Sequence, residues 1–116
     1  MPHVIKFNAV TGNVKRTPYP RYETYTAQKD YADIARYLGL KGNTDVELVD
    51  SLIAAVKDLA ASVEVNQTLS GNGVDKKHFD DALDSLIDLV YNDQTTPGNP
   101  RQPSLAEIKQ LLKDQF

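Results

Sequence analysis

The residues from Thr44 to Val63 carry a single apolar stripe at helical spacing, and this pattern constrains the fold more than any other. Thr44 and Glu47 form a capping-box pattern, in which each side chain can bond the backbone N–H of the other residue. The pattern predicts a helix of about 19 residues. The stripe consists of residues three or four positions apart: Val49, Leu52, Ile53, Val56, Leu59, Ala60 and Val63.

Three shorter stripes and one N-terminal segment show the same spacing. Gly39 breaks the first stripe, Asp75 precedes the second as a helix N-cap with Val74 beside it as a hydrophobic staple, and Ser104 with Glu107 forms a second capping box. Residues 1–9 resemble the tail of a helix. The inward positions predicted for the three stripes are Tyr31, Ile34, Ala35 and Leu38; Phe79, Leu83, Leu86, Ile87 and Val90; and Leu105, Ile108, Leu111 and Leu112.

No segment alternates apolar and polar residues with a period of two, so we expect no sheet. The fold class predicted is all-α, a helical bundle around one core. The length of 116 residues suits one domain. We therefore expect a single all-helical subdomain over residues 1–116, with loops at about 10–26, 65–74 and 92–103, where glycine, proline and polar residues gather.

Residue types limit the chemistry that the chain can perform. Cysteine is absent, which excludes disulfides, thiolate metal sites and a cysteine nucleophile. The two histidines, His3 and His78, have no metal-ligand partners at helical spacing, so we expect His3 to be structural and His78 to lie on the surface. From these residues we predict no catalytic, cofactor-binding or metal site.

Two other patterns have a functional and a plainer interpretation. Asp80, Asp81, Asp84 and Asp88 form an acidic edge that resembles a cation site, but a solvated helix face is the preferred interpretation. The sequence from Gly71 to Gly73 precedes a helix as an anion cradle does, but lacks a lysine, so we expect a plain turn.

Charge divides the chain unevenly. Residues 1–30 hold five basic and two acidic residues, a net charge of +3, whereas residues 31–116 have a net charge of −6. Tyr19, Tyr22 and Tyr25 lie among the basic residues, a combination that suits single-stranded nucleic acid. Because the acidic remainder would repel phosphate, we expect the tyrosines to pack on neighbouring helices and no nucleic acid to bind. No apolar stretch is long enough for a membrane span, no signal peptide is visible, and we expect a cytoplasmic protein.

The segment from Thr95 to Arg101 is the most informative loop. It places hydroxyl, amide and guanidinium groups on a frame made rigid by Pro97 and Pro100, and such a loop can present side chains to a cavity.

Five segments carry a resemblance to a known family, in order along the chain: 1–8, 31–40, 42–45, 93–101 and 105–109. The chain resembles the C-terminal end of the iron-dependent alcohol dehydrogenases, most of all the alcohol dehydrogenase half of bifunctional acetaldehyde-CoA/alcohol dehydrogenases. The resemblance implies an all-helical portion of an enzyme that interconverts acetaldehyde and ethanol with NAD and iron, while this chain itself begins after the metal ligands and holds neither cofactor.

The resemblance also implies a position for the loop near the substrate cleft. Thr96, Asn99, Pro100 and Arg101 match the family's loop, whereas Thr95 stands where the family has cysteine and Pro97 where it has glycine. The implied partner is the N-terminal remainder of the dehydrogenase, with association between copies of the chain also open.

Two hypotheses follow for the function of the chain. In the first, it is the C-terminal helical portion of such a dehydrogenase and is inactive alone. In the second, it is a stand-alone helical module, or a vestigial gene product, that binds a protein partner through the 10–26 loop and the N-terminal segment.

Overall fold

The computed structural model of the protein describes residues 1–12, 14 and 24–116. Helices form at Pro2–Asn8 (α1), Ala27–Tyr37 (α2), Asp45–Ser62 (α3), Lys76–Asn92 (α4) and Leu105–Lys113 (α5), and 3₁₀ turns form at Ser70–Asn72 and Thr96–Gly98. The residues that the structure describes form no β-strand. The all-α prediction is therefore confirmed.

The helices are distributed over two compact units. Among the described residues, the first unit contains α1, α2 and α3 and ends at Val65, and the second begins at Asn66 and contains α4 and α5. Each unit has its own cluster of buried apolar side chains, which differs from the one core expected from the stripes. The expectation of one subdomain over residues 1–116 stays a prediction.

Helix α3 begins as the sequence predicts. The hydroxyl of Thr44 accepts a hydrogen bond from the backbone N–H of Glu47 at 3.2 Å, and the Glu47 carboxylate accepts one from the N–H of Thr44 at 3.3 Å. These bonds satisfy N–H groups that a helix start leaves without a partner. The capping box and the predicted length are both confirmed, since α3 has 18 residues.

The apolar stripe of α3 is buried only along its first half. Leu48, Val49 and Leu52 are buried, whereas Leu59 is 65% and Val63 60% exposed. The prediction that Leu59 and Val63 point inward is therefore wrong. Helix length gives the reason: α2 has 11 residues and spans about 16 Å, while α3 spans about 27 Å, so the shorter helix cannot cover the longer one.

The buried face of α2 is made of alanines. Ala32 and Ala35 are fully buried against α3, whereas Ile34 and Leu38 are about half exposed. The inward prediction is confirmed for Ala35, and it is wrong for Ile34 and Leu38. Small side chains let two helix backbones approach closely, and a sequence pattern that ranks residues by hydrophobicity gives alanine too little weight.

Helices α2 and α3 end in the same way. At the end of α2, Gly39 has a φ of 71° and the N–H of Leu40 donates to the carbonyl of Ala35 at 2.9 Å. At the end of α3, Glu64 has a φ of 57° and the N–H of Val65 donates to the carbonyl of Ala60 at 2.8 Å. Both ends are Schellman motifs, but only the first has the glycine that favours this backbone conformation.

Helices α4 and α5 pack together in the second unit. Phe79, Leu83 and Ile87 of α4 and Ile108 of α5 are buried, as predicted. The Asp75 carboxylate caps α4 by accepting from the N–H of His78 at 3.0 Å, and Ser104 and Glu107 form the predicted capping box of α5. These N-caps confirm the predicted starts of both helices.

Two of the predicted inward positions in the second unit are wrong. Val90 is 37% and Leu105 is 49% exposed. Both lie near helix ends, beyond the last buried residues of the α4–α5 contact. The stripe pattern gives their direction around the helix but not how far the partner helix extends.

An aromatic pair completes the cluster of the second unit. The rings of Phe79 and Phe116 lie 5.0 Å apart between centroids, and the Lys76 ammonium lies 5.3 Å from the centroid of Phe116. Contacts of both kinds are favourable at these distances. They attach residue 116 to the first turn of α4.

The close contact of α2 with α3 predicts a strong size limit at Ala35. We expect Ala35→Leu to lower the free energy of unfolding by about 1–3 kcal/mol, because added methylenes do not fit a fully packed position. Ala54→Leu is the matched control, since Ala54 lies on the exposed side of α3. Chemical denaturation followed by circular dichroism measures both, and equal midpoints for the two variants would contradict the packing argument.

Candidate functional site

The loop between α4 and α5 begins with a turn around Asp93. The Asp93 carboxylate accepts a hydrogen bond from the backbone N–H of Thr95 at 2.7 Å and another from the Thr95 hydroxyl. The hydrogen bond from the Thr95 hydroxyl, and after it the one from the Thr95 backbone, lowers the pKa of Asp93 below its ordinary value. An aspartate that bonds the backbone two residues ahead is a common turn former. The turn therefore stops α4 at a defined place.

The centre of the loop is a single 3₁₀ turn. The Thr96 hydroxyl donates to the carbonyl of Val90 in α4, and the N–H of Asn99 donates to the carbonyl of Thr96 at 3.1 Å. The side-chain amide of Asn99 then donates to the carbonyl of Arg101 at 2.6 Å. The polar side chains of this segment thus bond the loop backbone and the end of α4.

The far end of the loop is attached to α5 by an ion pair. The guanidinium of Arg101 bonds one oxygen of the Glu107 carboxylate, and the side chains of Arg101 and Glu107 are 20% and 36% exposed. The second oxygen of Glu107 accepts from the N–H and the hydroxyl of Ser104, each at 2.9 Å. One carboxylate therefore caps α5 and holds the loop.

The surroundings of Glu107 stabilise its charged form. The hydrogen bond from the Ser104 backbone, followed by the Ser104 hydroxyl and the positive charge of Arg101, lowers the pKa of Glu107 below its ordinary value of 4.5, against an opposing effect of burial. The charge on Glu107 is thus coupled to the folded loop.

The structure brings the five predicted loop residues together in one compact segment. Thr95 and Pro100 are exposed, and Thr96, Asn99 and Arg101 are half-buried. Nothing in the contacts tests a position near a substrate, so that role stays a prediction. What the contacts establish is a loop with a fixed backbone, which is what a cleft wall needs.

The contributions of Asp93 and Glu107 to this loop were not predicted from the sequence. Asp93 carried a weak signal, because aspartate two residues before a hydroxyl residue often forms such a turn. The pairing of Glu107 with Arg101 carried none, because it joins a helix to an irregular segment six residues away. Only the folded loop brings the two charges together.

The other candidate residues have the plainer roles. His3 is half-buried on α1, and the side chain of His78 is 88% exposed. Asp80 pairs with Lys76, and Asp81 pairs with Lys77 at 2.6 Å. Asp84 lies 3.5 Å from Lys109, and Asp88 is exposed, so the acidic edge is the solvated helix face that we expected.

The turn from Gly71 to Gly73 is not an anion cradle. Its backbone N–H groups are already bonded: that of Gly71 donates to the Thr68 hydroxyl at 3.0 Å, and that of Gly73 donates to the carbonyl of Ser70 at 3.0 Å. A phosphate site needs N–H groups that are available to the ligand. The prediction of a plain turn is confirmed.

The basic N-terminal part is described only in part. The Tyr25 hydroxyl donates to the carbonyl of Asn8 in α1 at 2.6 Å, so this tyrosine packs on a helix as expected. Tyr19 and Tyr22 lie outside the described residues, as does most of the predicted 10–26 loop.

The potential metal ligands of the described residues lie apart from one another. In residues 1–12, 14 and 24–116, no three His, Cys, Asp or Glu side chains come together in a way that could hold a metal ion. The described residues therefore do not fit an iron site. In the same part of the chain, no helix is both long enough and apolar enough to cross a membrane.

Comparison with known proteins identifies the family. The model of the Fe-containing alcohol dehydrogenase family, C-terminal region, matches residues 1–116. The chain belongs to this family. The resemblance that the sequence showed to this family is therefore confirmed.

Individual relatives agree with the family assignment. The chain is 41% identical over 113 residues to an aldehyde-alcohol dehydrogenase of Clostridium acetobutylicum, and the match covers 97% of this chain and 13% of that protein. It is 34% identical over 116 residues to an aldehyde-alcohol dehydrogenase of Streptococcus pneumoniae, covering 100% of this chain and 13% of that protein. An NADPH-dependent butanol dehydrogenase of Clostridium saccharobutylicum is 34% identical over 113 residues, and the match covers 97% of this chain and 25% of that protein.

The chain thus spans between 13% and 25% of the length of these relatives. It matches their C-terminal region. This favours the first hypothesis, the C-terminal helical portion of a dehydrogenase, over a stand-alone interaction module.

The shared role of Glu107 predicts how the second unit responds to acid. Because the pKa of Glu107 is lowered by folding, its contribution to stability is present above pH 4.5 and is lost as the pH falls through the folded-state pKa. We expect Glu107→Gln, which keeps a capping side chain, to cost about 0.5–1 kcal/mol at neutral pH after solvent screening. The cost should disappear in acid.

Thermal unfolding at a series of pH values measures this difference. Asp88→Asn is the control, because it removes an exposed carboxylate from the neighbouring helix α4. A Glu107→Gln penalty that persists unchanged well below pH 4.5 would refute the proposed charge contribution.

Proposed function

We propose that this chain is the C-terminal helical portion of an iron-dependent alcohol dehydrogenase, in which it supports the NAD-linked interconversion of acetaldehyde and ethanol, and that it is inactive alone. The observation that carries the proposal is the family match over residues 1–116. The donor groups support it, because the described residues do not fit an iron site. Iron and NAD would then be held by residues outside this chain.

The remainder of the dehydrogenase is the partner that we propose for the exposed half of α3. Leu59 in the last turns of α3, and Val63 and Val65 directly after the helix, are each more than half exposed. Apolar side chains gathered on one surface are typical of a contact site. The relatives are four or more times longer than the chain, so a partner surface is available within one polypeptide. Association between copies of the chain would use the same residues.

The α4–α5 loop is proposed to form one wall of the substrate cleft. Thr95 and Pro100 are its exposed residues, while Thr96, Asn99 and Arg101 are half-buried and fix its backbone through the bonds described above. The exposed surfaces of Thr95 and Pro100 would face a small aldehyde or alcohol. Neither group supplies an acid, a base or a metal ligand, so the loop would shape the cleft rather than react.

The remaining proposals concern where the enzyme works. We propose a cytoplasmic location and no binding of nucleic acid or membranes. The net charge of −3 supports the absence of nucleic-acid binding, because an acidic surface repels phosphates.

A chimeric enzyme tests the proposed role. We expect the isolated chain, supplied with Fe²⁺, acetaldehyde and either NADH or NADPH, to show no oxidation of the nicotinamide at 340 nm. The Clostridium acetobutylicum relative, with this chain in place of its matching 113-residue region, should be active. Turnover by the isolated chain, or a folded chimera that binds both cofactors without activity, would overturn the proposal.

The same chimera distinguishes a cleft wall from a remote loop. Asn99→Ala removes the bond that holds the Arg101 carbonyl and should raise KM for acetaldehyde about tenfold, because small displacements of a positioning loop weaken substrate binding. Asn92→Ala is the control, since Asn92 also bonds a backbone carbonyl, at 2.8 Å, but outside residues 95–101. Equal KM values for the two variants would show that the loop is not part of the substrate cleft.

The exposed half of α3 predicts opposite effects in the two contexts. Leu59→Ser with Val63→Ser should change the stability of the isolated chain by less than about 0.5 kcal/mol, because exposed surface substitutions have small effects. In the chimera, the same pair should lower the melting temperature by several degrees, about 4 °C or more if two apolar contacts are lost. Unchanged melting of the chimera would exclude this surface as the contact.

A further inference from the structure

Asn72 is the only asparagine in the sequence that is followed by a glycine, Gly73. Such a pair is chemically labile. The backbone nitrogen of the glycine can attack the side-chain carbonyl carbon of the asparagine, because glycine has no side chain to obstruct the approach. The pair lies in an exposed turn of the second unit, so solvent reaches it readily.

The folded turn holds the Asn72 side chain away from this reaction. Its amide nitrogen donates to the carbonyl of Thr68 at 2.7 Å and to the carbonyl of Asn66 at 3.1 Å. Both neighbours are acceptors, so the nitrogen, not the oxygen, must face them. The side-chain carbonyl carbon is therefore fixed by two hydrogen bonds.

The attacking nitrogen is held as well. The N–H of Gly73 donates to the carbonyl of Ser70 at 3.0 Å, within the 3₁₀ turn that contains Asn72. The turn is itself attached to the last residues: the N–H of Leu69 donates to the carbonyl of Gln115 at 2.8 Å, and the Ser70 hydroxyl donates to that of Phe116 at 2.6 Å. Attack requires these bonds to open.

We propose that Asn72 is a gated modification site, which deamidates when the 66–73 turn opens. In the open turn, the Gly73 nitrogen loses its proton to solvent and forms a bond to the Asn72 side-chain carbonyl carbon. The bond from that carbon to the side-chain nitrogen breaks, and the NH2 group takes up one proton from water and leaves as ammonia. The resulting succinimide ring takes up one water molecule. Its hydrolysis gives aspartate or isoaspartate at position 72, and no oxidant or reductant takes part.

The product keeps the turn open. A carboxylate at position 72 has no N–H to donate, and in the closed turn it would face the carbonyl oxygens of Asn66 and Thr68. The negative carboxylate and the carbonyl oxygens repel each other, and the two carbonyl groups lose their donor. Isoaspartate adds a backbone carbon and alters the spacing of the turn further. Each opening that ends in deamidation is thus irreversible.

Reaction rates test the gate. The full chain is incubated at mildly alkaline pH, folded in buffer and unfolded in guanidinium chloride, and modification of Asn72 is followed by peptide mass spectrometry. We expect the folded chain to react at roughly one tenth of the rate of the unfolded chain, or more slowly still, because only the open fraction reacts. Equal rates in the two states would overturn the proposal.

A variant pair locates the gate. Ser70→Ala removes the bond to the Phe116 carbonyl and should raise the rate in the folded chain about threefold. Ser62→Ala removes a similar bond, from the Ser62 hydroxyl to the Leu59 carbonyl at 2.7 Å, in the first unit, and should leave the rate unchanged. Equal rates for the two variants would show that the turn does not control the reaction.

A third variant tests the consequence of the modification. Asn72→Asp mimics one product, and we expect faster hydrogen exchange at the amide of Val74, which donates to the carbonyl of Leu69 at 3.0 Å. An increase of about tenfold is expected if the turn stays open. Protection equal to that of the unmodified chain would show that the turn closes again and would overturn the irreversible part of the proposal.

Discussion

Three of the five helices in the part of the chain that the structure describes are too short to be stable without caps or packing partners. Helices α2 and α5 have 11 and 9 residues, and isolated helices below about 12–15 residues are marginal in water. Of these two helices, α5 has a side-chain cap at its start, whereas α2 has none and is held by the apolar cluster that it shares with α3. Cap and cluster act together, because the caps set where a helix begins and the clusters hold it in place.

Local features of the fold were predictable from the sequence for this reason. The capping boxes at Thr44 and Ser104 and the glycine at position 39 depend only on neighbours within a few residues, and each is present. Features that depend on the position or length of another helix were predicted less well. The exposure of Leu59 follows from the length of α2, and the left-handed Glu64 has no signal in its own residue type.

The candidate site also combines a local feature that the sequence predicts with a contact that forms only in the folded chain. Its irregular backbone was predictable from Pro97, Gly98 and Pro100, but its stability comes from Glu107, which lies in the following helix. The charges of Arg101 and Glu107 meet only after α5 has formed. The family relationship gives this loop its proposed place beside a substrate, and the contacts explain how a loop without regular structure keeps a fixed shape.

The turn at residues 66–73 shows that exposure is a poor guide to what a position tolerates. Gly71 is exposed, yet a Cβ atom there would overlap the side-chain amide of Asn66, which donates to the Gly71 carbonyl at 2.6 Å. In a library of single substitutions, alanine at position 71 should therefore cost about one hydrogen bond, because the exposed Asn66 side chain must turn away to make room. Its exposed neighbours on α4 should accept most residues.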